Sequence, residues 1–475
     1  MTTVTRQLTA AELDPIADVD RRLPGLRAAL DGELMGPLLS SALGITGSVG
    51  ACRAEQSLYL GNSCLIRYAM DVGGREVVVT GRLFADRGAA AVLLTDSLEP
   101  LARRVPGPLP AGLGSWTGAV PGHPLVLHAF PVDPELPALL EATDPEWMLA
   151  VFREVVPGAL NEALNIVGCR IEPVHYGRRH RCVLRYPLDA SDPSGRPRPL
   201  TAYGKVAVTA EGAMAGPVID ALRARGEVRV PRSLGYLPDQ RLALFEGIPG
   251  VPRVAQLLRG RLGGAPPMPG SATLEHAVSV CAEVAARLHS SGVSLGPVRR
   301  LTDDLDVLRD AVSLIATASG PLADRLDAWL SVVESGAGGD PLPLTLAHGD
   351  YSYTQLIFDG DSVGLVDFDT VCQAEPALDL GHFLAYLDFA GRKGGGPDRQ
   401  RLTNEMRAHF LATYVTERGL GEAEARWLLE RTASYELVSL LRLAIHAWQK
   451  LKARRLRLTV QALEDRLTGS ANPDS

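Results

Sequence analysis

Three oxygen-bearing side chains, Asp350, Gln355 and Asp367, stand close together in one extended block of the sequence. Two short apolar runs in this block, 355–358 and 363–366, flank an Asp-Gly-Asp turn and predict a β-hairpin. That hairpin would bring the three side chains together. Phosphoryl transfer requires such a set, because a carboxylate must take the proton of the acceptor hydroxyl while hard oxygen ligands hold Mg²⁺ against nucleotide phosphates. Asp350 suits the first role, and Gln355 and Asp367 suit the second.

A longer pattern around these residues resembles a known family. His348-Gly349-Asp350, then Gln355, then Val366-Asp367-Phe368-Asp369 resemble the catalytic loop and metal-binding segment of the aminoglycoside phosphotransferase, choline kinase and maltokinase superfamily. Pro376-Ala377-Leu378-Asp379-Leu380 resembles a stretch that these enzymes often carry. Most relatives have Asn in place of Gln355, although maltokinase-like members resemble this chain in having Gln. Several motifs occur here in the order that the family has, and this makes the resemblance more specific than a single short motif would.

The resemblance implies a fold, cofactors and residue roles. The fold is α+β and protein-kinase-like, with an antiparallel β-sheet N-lobe and a mainly helical C-lobe, and the cofactors are ATP and Mg²⁺. In that fold Asp350 would be the catalytic base, and Gln355 and Asp367 would bind the metal. His348 would be a structural hydrogen-bonding residue of the loop. Asp369 would either support the metal ligands or have no such role.

The resemblance also implies nucleotide contacts outside this block. Lys205, in Tyr203-Gly204-Lys205-Val206, is the candidate for the strand lysine that pairs with the α and β phosphates. The backbone of Glu246, Gly247 and Ile248 would form the hinge that meets the adenine.

Two features expected from the resemblance are not identified in the sequence. No G-x-G-x-x-G loop is present, and residues 176–181 occupy the first hairpin of this region instead. The arginines of that hairpin either meet phosphate or belong to a solvated turn. A helical glutamate should pair with Lys205, and Glu211 and Glu227 are weak options for it.

The first part of the chain contains a repeat. Cys52-Arg-Ala-Glu recurs as Cys169-Arg-Ile-Glu, 117 residues later (169 − 52), and Cys64-Leu-Ile-Arg-Tyr recurs as Cys182-Val-Leu-Arg-Tyr, 118 residues later (182 − 64). Alternating runs between turn residues in each copy predict antiparallel strands. The predicted division is a degenerate, duplicated N-lobe-like module at 1–150, the nucleotide-binding N-lobe at 151–258 and the helical catalytic C-lobe at 259–475.

The first copy lacks the residues expected of a nucleotide lobe. Arg82 stands in the place of Lys205, and His128 stands in the place of the hinge residue Glu246. Arg does not replace Lys at such a site, because its planar fork is larger and directs its donors differently. We therefore expect the module to act in substrate capture, regulation or binding of a peptide or protein partner.

After about residue 272 the apolar residues recur at helical spacing, which predicts amphipathic helices. The predicted helices cover 274–289, 304–318, 322–334, 402–418, 422–436 and 438–466.

Composition excludes several classes of protein. A chain of 475 residues with a net charge of −7 has no general attraction to nucleic acid or anionic membranes. No apolar run is long enough to cross a bilayer. Six cysteines without a C-x-x-C pair argue against a disulfide framework or a zinc site. We therefore expect a cytoplasmic protein.

These observations favour an ATP-dependent phosphotransferase that acts on a hydroxyl of a small molecule, such as a sugar, an aminoglycoside-like compound or another metabolite. One alternative is a Ser/Thr kinase whose extra module holds a peptide or protein substrate. A catalytically inactive pseudokinase or binding protein is another alternative, motivated by Gln355, the missing Gly-rich loop and the unassigned glutamate.

Overall fold

The computed structural model describes residues 8–110, 112–176, 181–264, 273–336, 341–396 and 398–469. Helices in this part of the chain are α1 Pro15–Asp20, α2 Leu26–Ala29, α3 Gly32–Ala42, α4 Arg87–Leu93, α5 Glu99–Ala102, α6 Leu139–Ala142, α7 Pro145–Leu160, α8 Ala215–Arg225, α9 Val254–Leu262, α10 Leu274–Ser290, α11 Leu301–Ala316, α12 Gly320–Gly336, α13 Ala377–Gly394, α14 Arg399–Arg418, α15 Glu422–Gln449 and α16 Ala453–Gly469. Strands are β1 Val49–Tyr59, β2 Ser63–Val72, β3 Arg75–Phe84, β4 Thr117–Ala119, β5 Leu125–Ala129, β6 Asn165–Cys169, β7 Glu172–Tyr176, β8 Arg181–Ser191, β9 Leu200–Ala207, β10 Ser233–Leu237, β11 Leu242–Glu246, β12 Thr345–Ala347, β13 Leu356–Asp359, β14 Ser362–Leu365 and β15 Cys372–Ala374.

Two antiparallel sheets precede the helical part. The first has the order β1-β2-β3-β5-β4, and the second has the order β10-β11-β9-β8-β6 with β7 also paired to β8. Along β8, the residues Cys182, Leu184 and Tyr186 are buried at every second position. This is the period of a strand with one face on a core. The sheets and the helical region confirm the predicted α+β class.

The two sheets share a local packing device. Tyr68 and Tyr186 are fully buried, and each hydroxyl donates to a backbone carbonyl, at 2.7 and 2.9 Å. The neighbouring strand carries glycine opposite each ring. A Cβ on Gly81 would lie 3.0 Å from the Tyr68 ring, and one on Gly204 would lie 2.7 Å from the Tyr186 ring. Only glycine leaves room for the ring at both places.

The strand registers correct one expected correspondence between the copies. Thr80 pairs with His128 in the first sheet, whereas Tyr203 pairs with Phe245 in the second. His128 therefore corresponds to Phe245, and Ala129 is the residue at the place of Glu246. The sequence comparison was wrong by one position because it aligned the prolines that follow the strands, and the segments before those prolines differ in length by one residue.

The helical part also contains two short antiparallel sheets, the pair β12-β15 and the hairpin β13-β14. A buried ion pair fixes the segment after β15, since Arg431 Nε on α15 donates to Glu375 Oε2 at 2.7 Å. The same carboxylate accepts from the backbone nitrogen of Leu342 at 3.1 Å. Both ends of the extended block are thereby tied to one long helix.

Both predicted boundaries between the three parts of the chain fall within helices. Helix α7 starts after its N-cap Asp144 and continues through residue 150, and α9 continues through residue 258. The inner face of α7, with Met148 and Phe152, packs into the core of the second sheet. A boundary before Asp144 would keep α7 with the sheet that it covers. No helix among the described residues is long and apolar enough to cross a bilayer.

Candidate active site

The loop that carries Asp350 is held by one buried carboxylate. Asp379 lies in the first turn of α13 and accepts from the backbone nitrogens of His348 and Gly349, at 2.7 and 2.9 Å. His289 Nε2 lies 3.1 Å from the same carboxylate. Burial alone would raise the pKa of Asp379, but these partners outweigh it and hold the pKa below its usual value.

A glycine is required at the sharpest point of this loop. Gly349 has a φ of +79°, and a Cβ there would lie 2.2 Å from the carbonyl oxygen of Thr370. The close approach lets the Thr370 hydroxyl donate to the His348 carbonyl at 3.0 Å. The His348 ring also joins the two parts of the site, because its Nε2 lies 2.9 Å from the Val366 carbonyl oxygen.

Asp350 is oriented by two side chains. His382 Nε2 on α13 lies 2.9 Å from Oδ1, and Gln355 Nε2 donates to Oδ2 at 3.2 Å. Burial raises the pKa of Asp350, but His382 and His348 together outweigh this effect, so that the pKa lies below the usual value. Asp350 is therefore ionised near neutral pH, and its side chain keeps about a third of its surface exposed.

Two acidic and two basic side chains meet beside this loop. Lys205 Nζ lies 2.5 Å from Asp367 Oδ1 and 3.1 Å from Asp369 Oδ1. Arg181 contacts Asp367 through both guanidinium nitrogens, at 3.1 and 3.2 Å, and contacts Asp369 at 2.9 Å. Burial raises the pKa of Asp367, but Lys205 and Arg181 outweigh this effect and hold it well below the usual value. The four formal charges cancel.

The backbone directs Asp367 into this cluster. Its φ of +73° is in the left-handed region, which is uncommon for a residue other than glycine. The conformation ends β14 and starts a short 3-10 turn at Phe368–Thr370. Such a strained conformation is typical of functional sites.

A cavity of about 510 Å³ lies between the second sheet and the hairpin β13-β14. One end is polar and contains Arg181, Lys205, Gln355 and Asp367. The other walls are mostly apolar and include Phe245, Ile248, Ile357 and Phe368. Its size and lining are those of a small-molecule site.

The predicted hinge residues take different positions at this cavity. Glu246 and Ile248 line it. The backbone nitrogen of Gly247 donates to the Thr201 carbonyl oxygen at 2.8 Å, so that this amide serves the sheet. A Cβ at Gly247 would lie 3.0 Å from the Tyr203 ring, which favours glycine there.

The donor set fits magnesium by its chemistry. Asp367 and Asp369 supply carboxylate oxygens, and Gln355 presents an amide whose nitrogen faces Asp350. No group of three His, Cys, Asp or Glu with metal-binding geometry occurs among the residues that the structure describes. Mg²⁺ is commonly held by one or two carboxylates and by substrate phosphates, which this set allows.

Comparison with known families identifies the region that contains the loop and the lysine. Residues 205–428 match the sequence profile of the phosphotransferase enzyme family. This chain carries a phosphotransferase-family domain. Lys205 is the first matched residue, and the match includes Asp350, Gln355 and Asp367. The predicted family is confirmed, together with the kinase-like fold class.

The solved structures that are similar to this chain share little of its sequence. A choline kinase from Cryptosporidium parvum Iowa II has 12% identity and a TM-score of 0.48, and the alignment covers 69% of this chain and 95% of that one. An ethanolamine kinase from Plasmodium vivax has 15% identity and a TM-score of 0.45, with 68% and 86% covered. A glucosamine kinase has 17% identity and a TM-score of 0.44, with 88% and 92% covered. No curated protein has significant sequence similarity to the chain.

Among the described residues, no acidic residue of α8 forms an ion pair with Lys205. Neither Glu211 nor Glu227 forms an ion pair with the lysine, and both are exposed. The acidic residue within α8 itself is Asp220, which is also exposed. Asp367 and Asp369 take the expected place of the glutamate, because Lys205 Nζ contacts both of them.

Two residues at the site were not assigned from the sequence. His382 follows Asp379 by one helical turn, so helical spacing was the available signal for it. Arg181 gave no such signal, because three arginines stand in the same hairpin. Arg178 and Arg179 lie outside the described residues. Arg181 contacts carboxylates here, an outcome that neither the phosphate nor the solvated-turn interpretation included.

Proposed function

We propose that the chain transfers the γ-phosphate of ATP to a hydroxyl group of a small molecule. One observation carries the proposal. An ionised, partly exposed Asp350 is joined through Gln355 to the polar end of a cavity that also contains Lys205 and Asp367. A proton acceptor, candidate metal ligands and a phosphate-binding cation therefore stand in one place, as phosphoryl transfer requires.

The nucleotide would lie along the cavity. Lys205 and Arg181 would bind its phosphates, since both cations line the polar end of the cavity. The adenine would lie between apolar side chains such as Ile248 and Phe368, with the backbone from Glu246 to Ile248 at its edge. The two cations would then leave Asp367 and Asp369 for the phosphates.

Gln355 and Asp367 would hold Mg²⁺, with Asp369 beside them. A bound Mg²⁺ supplies charge neutralisation for the transferred phosphoryl group. Asp350 would accept the proton of the acceptor hydroxyl on one of its carboxylate oxygens. His382 and Gln355 hold the carboxylate in orientation, and such positioning is the main contribution of the protein in this chemistry.

The test is a thermal-shift titration with ATP and MgCl₂. A ligand that binds only the native state raises its apparent stability. We expect a magnesium-dependent rise in Tm for the wild type that is lost in Asp367→Asn. Asp361→Asn is the matched control, because Asp361 is an exposed residue of the same hairpin. No rise in the wild type would overturn the proposal.

A nucleotide-binding protein without transfer is a second candidate. The observation that favours it is the pairing of both Asp367 and Asp369 with cations, which leaves no net negative charge for Mg²⁺. Incubation with γ-³²P-ATP and pooled small hydroxylated acceptors separates the two candidates. A peptide pool in the same experiment tests whether the first sheet module presents a Ser/Thr substrate.

A further inference from the structure

The hairpin β7-β8 has two functional faces. Arg181 and Val183 line the nucleotide cavity on one face. Tyr176 and Cys182, which pair across the hairpin, are buried on the other face. Side chains of a strand alternate between its faces, so a shift of Tyr176 or Cys182 also moves Arg181.

The first sheet module holds the outer face through Tyr176. The Tyr176 hydroxyl donates to Asp133 Oδ2 at 2.6 Å. The guanidinium carbon of Arg67 lies 3.7 Å from the centre of the Tyr176 ring, and Phe130 meets the ring edge at 5.3 Å. Arg67, Asp133 and Tyr176 are each less than a tenth exposed. A charge-assisted hydrogen bond in such surroundings is stronger than a neutral one.

The same module also contacts the helical part. The Tyr59 ring at the end of β1 meets the Trp448 ring of α15 edge-on, with centroids 5.6 Å apart. Trp448 Nε1 donates to Asp18 Oδ2 at 3.2 Å. The Ser57 hydroxyl donates to the Lys450 carbonyl oxygen at 2.9 Å. The first sheet module therefore contacts both the hairpin β7-β8 and the helical part.

Tyr59 and Tyr176 stand at equivalent places in the repeated sequence, each seven residues after the cysteine that starts the Cys-Arg-x-Glu motif (59 − 52, 176 − 169). Each is the last residue of the first strand in its hairpin. Tyr176 docks the second sheet on the first module, and Tyr59 docks the first module on α15. The three parts are thus joined in series, by a hydrogen bond at Tyr176 and by edge-on ring packing at Tyr59.

We infer that the first sheet module is a brace for nucleotide binding, and that Tyr176 is the positioning residue through which it holds Arg181 toward the phosphates. The role rests on the proposed function. The Tyr176–Asp133 hydrogen bond holds the hairpin on the face opposite the cavity. Arg181 therefore loses less conformational entropy when a nucleotide binds. Pre-ordering of this kind raises affinity without adding a contact to the ligand.

The test compares Tyr176→Phe with Tyr68→Phe. Both changes remove one buried hydroxyl and its hydrogen bond, but Tyr68 donates to Ala29 within the first module and does not touch the hairpin. The ADP dissociation constant is measured with MgCl₂ by calorimetry. We expect roughly a tenfold rise for Tyr176→Phe. Tyr68→Phe should keep the wild-type constant even where its Tm falls equally.

A nucleotide-free measurement separates the brace from the proposed function. Amide hydrogen exchange at 172–176 and 181–186 should be faster in Tyr176→Phe and unchanged in Tyr68→Phe. Equal exchange in Tyr176→Phe and the wild type would overturn the brace, as would equal effects of the two variants. If the wild type bound no ADP, the proposed function would fail, and the exchange comparison would still decide whether Tyr176 holds the hairpin.

Discussion

At the scale of single residues, the carboxylates of Asp350 and Asp379 have similar hydrogen-bonding partners. Each carboxylate is held by a histidine, His382 or His289, and by a group of the loop from His348 to Gln355. Each has a pKa below its usual value although burial acts in the other direction. The two have different tasks, because Asp350 faces the exposed side of the loop whereas Asp379 is fully buried beneath it.

Asp350→Asn should lower kcat by roughly a thousandfold, since an amide cannot accept the hydroxyl proton. Nucleotide affinity should change little, because Asp350 does not line the cavity. Steady-state kinetics with an identified acceptor, together with ADP calorimetry, check both parts. A loss of ADP binding equal to the loss of kcat would show that Asp350 acts in the fold instead.

Asp379→Asn should lower the free energy of unfolding by about 2–3 kcal/mol at neutral pH. The depressed pKa of Asp379 stabilises the native state above the unfolded-state pKa near 4, and this contribution is lost as pH falls through the folded-state pKa. The variant should therefore lose less stability than the wild type on acidification below about pH 4. Urea unfolding from pH 7 to pH 3 measures this, with Asp361→Asn as the exposed control.

At the scale of elements, short pieces follow their sequence closely. The strands expected at 355–358 and 363–366 are β13 and β14, each shifted by one residue. Helices α10 and α12 cover their predicted spans. The long C-terminal pattern was divided at the wrong place, because the helix break lies after residue 449, where Leu451 has a positive φ of 54°. No glycine or proline marks this break, and so no local signal predicted it.

Gly349→Ala should reduce kcat by more than about a hundredfold, because the added Cβ would displace the Thr370 carbonyl and with it the catalytic loop. Gly360→Ala is the matched control. Gly360 also has a positive φ, but a Cβ there meets nothing within 4 Å. The control should lose only about 1–2 kcal/mol of stability from its backbone conformation and should keep its activity. Equal kcat in the two variants would contradict the close approach.

At the scale of the whole molecule, the first sheet module shares a buried core with the helical part. Val19 and Tyr59 of the module and Trp448 of α15 lie in one buried cluster. The module's role, and the boundaries of the three parts, stay proposals. A shared core of this size favours a single cooperative unfolding transition over independent domains.

Asp18→Ala should lower the free energy of unfolding by about 1–3 kcal/mol, because it leaves Trp448 Nε1 buried without its acceptor. Asp18→Asn keeps an oxygen acceptor and should stay closer to the wild type. Guanidinium unfolding followed by tryptophan fluorescence and by far-UV circular dichroism measures both variants. Non-coincident transitions in the wild type would show that the module unfolds separately.

The sequence by itself determined the family, the α+β class and the candidate catalytic block, because those residues lie within a short stretch where spacing and strand pattern are local. Only the tertiary structure decided the partners of those residues. Arg181 meets Asp367 across 186 residues of chain, and Tyr176 of the second sheet meets Asp133 of the segment after β5. Such contacts depend on the orientation of each sheet and on the charges that it buries. Periodic patterns along the sequence do not predict these contacts, because the patterns are local.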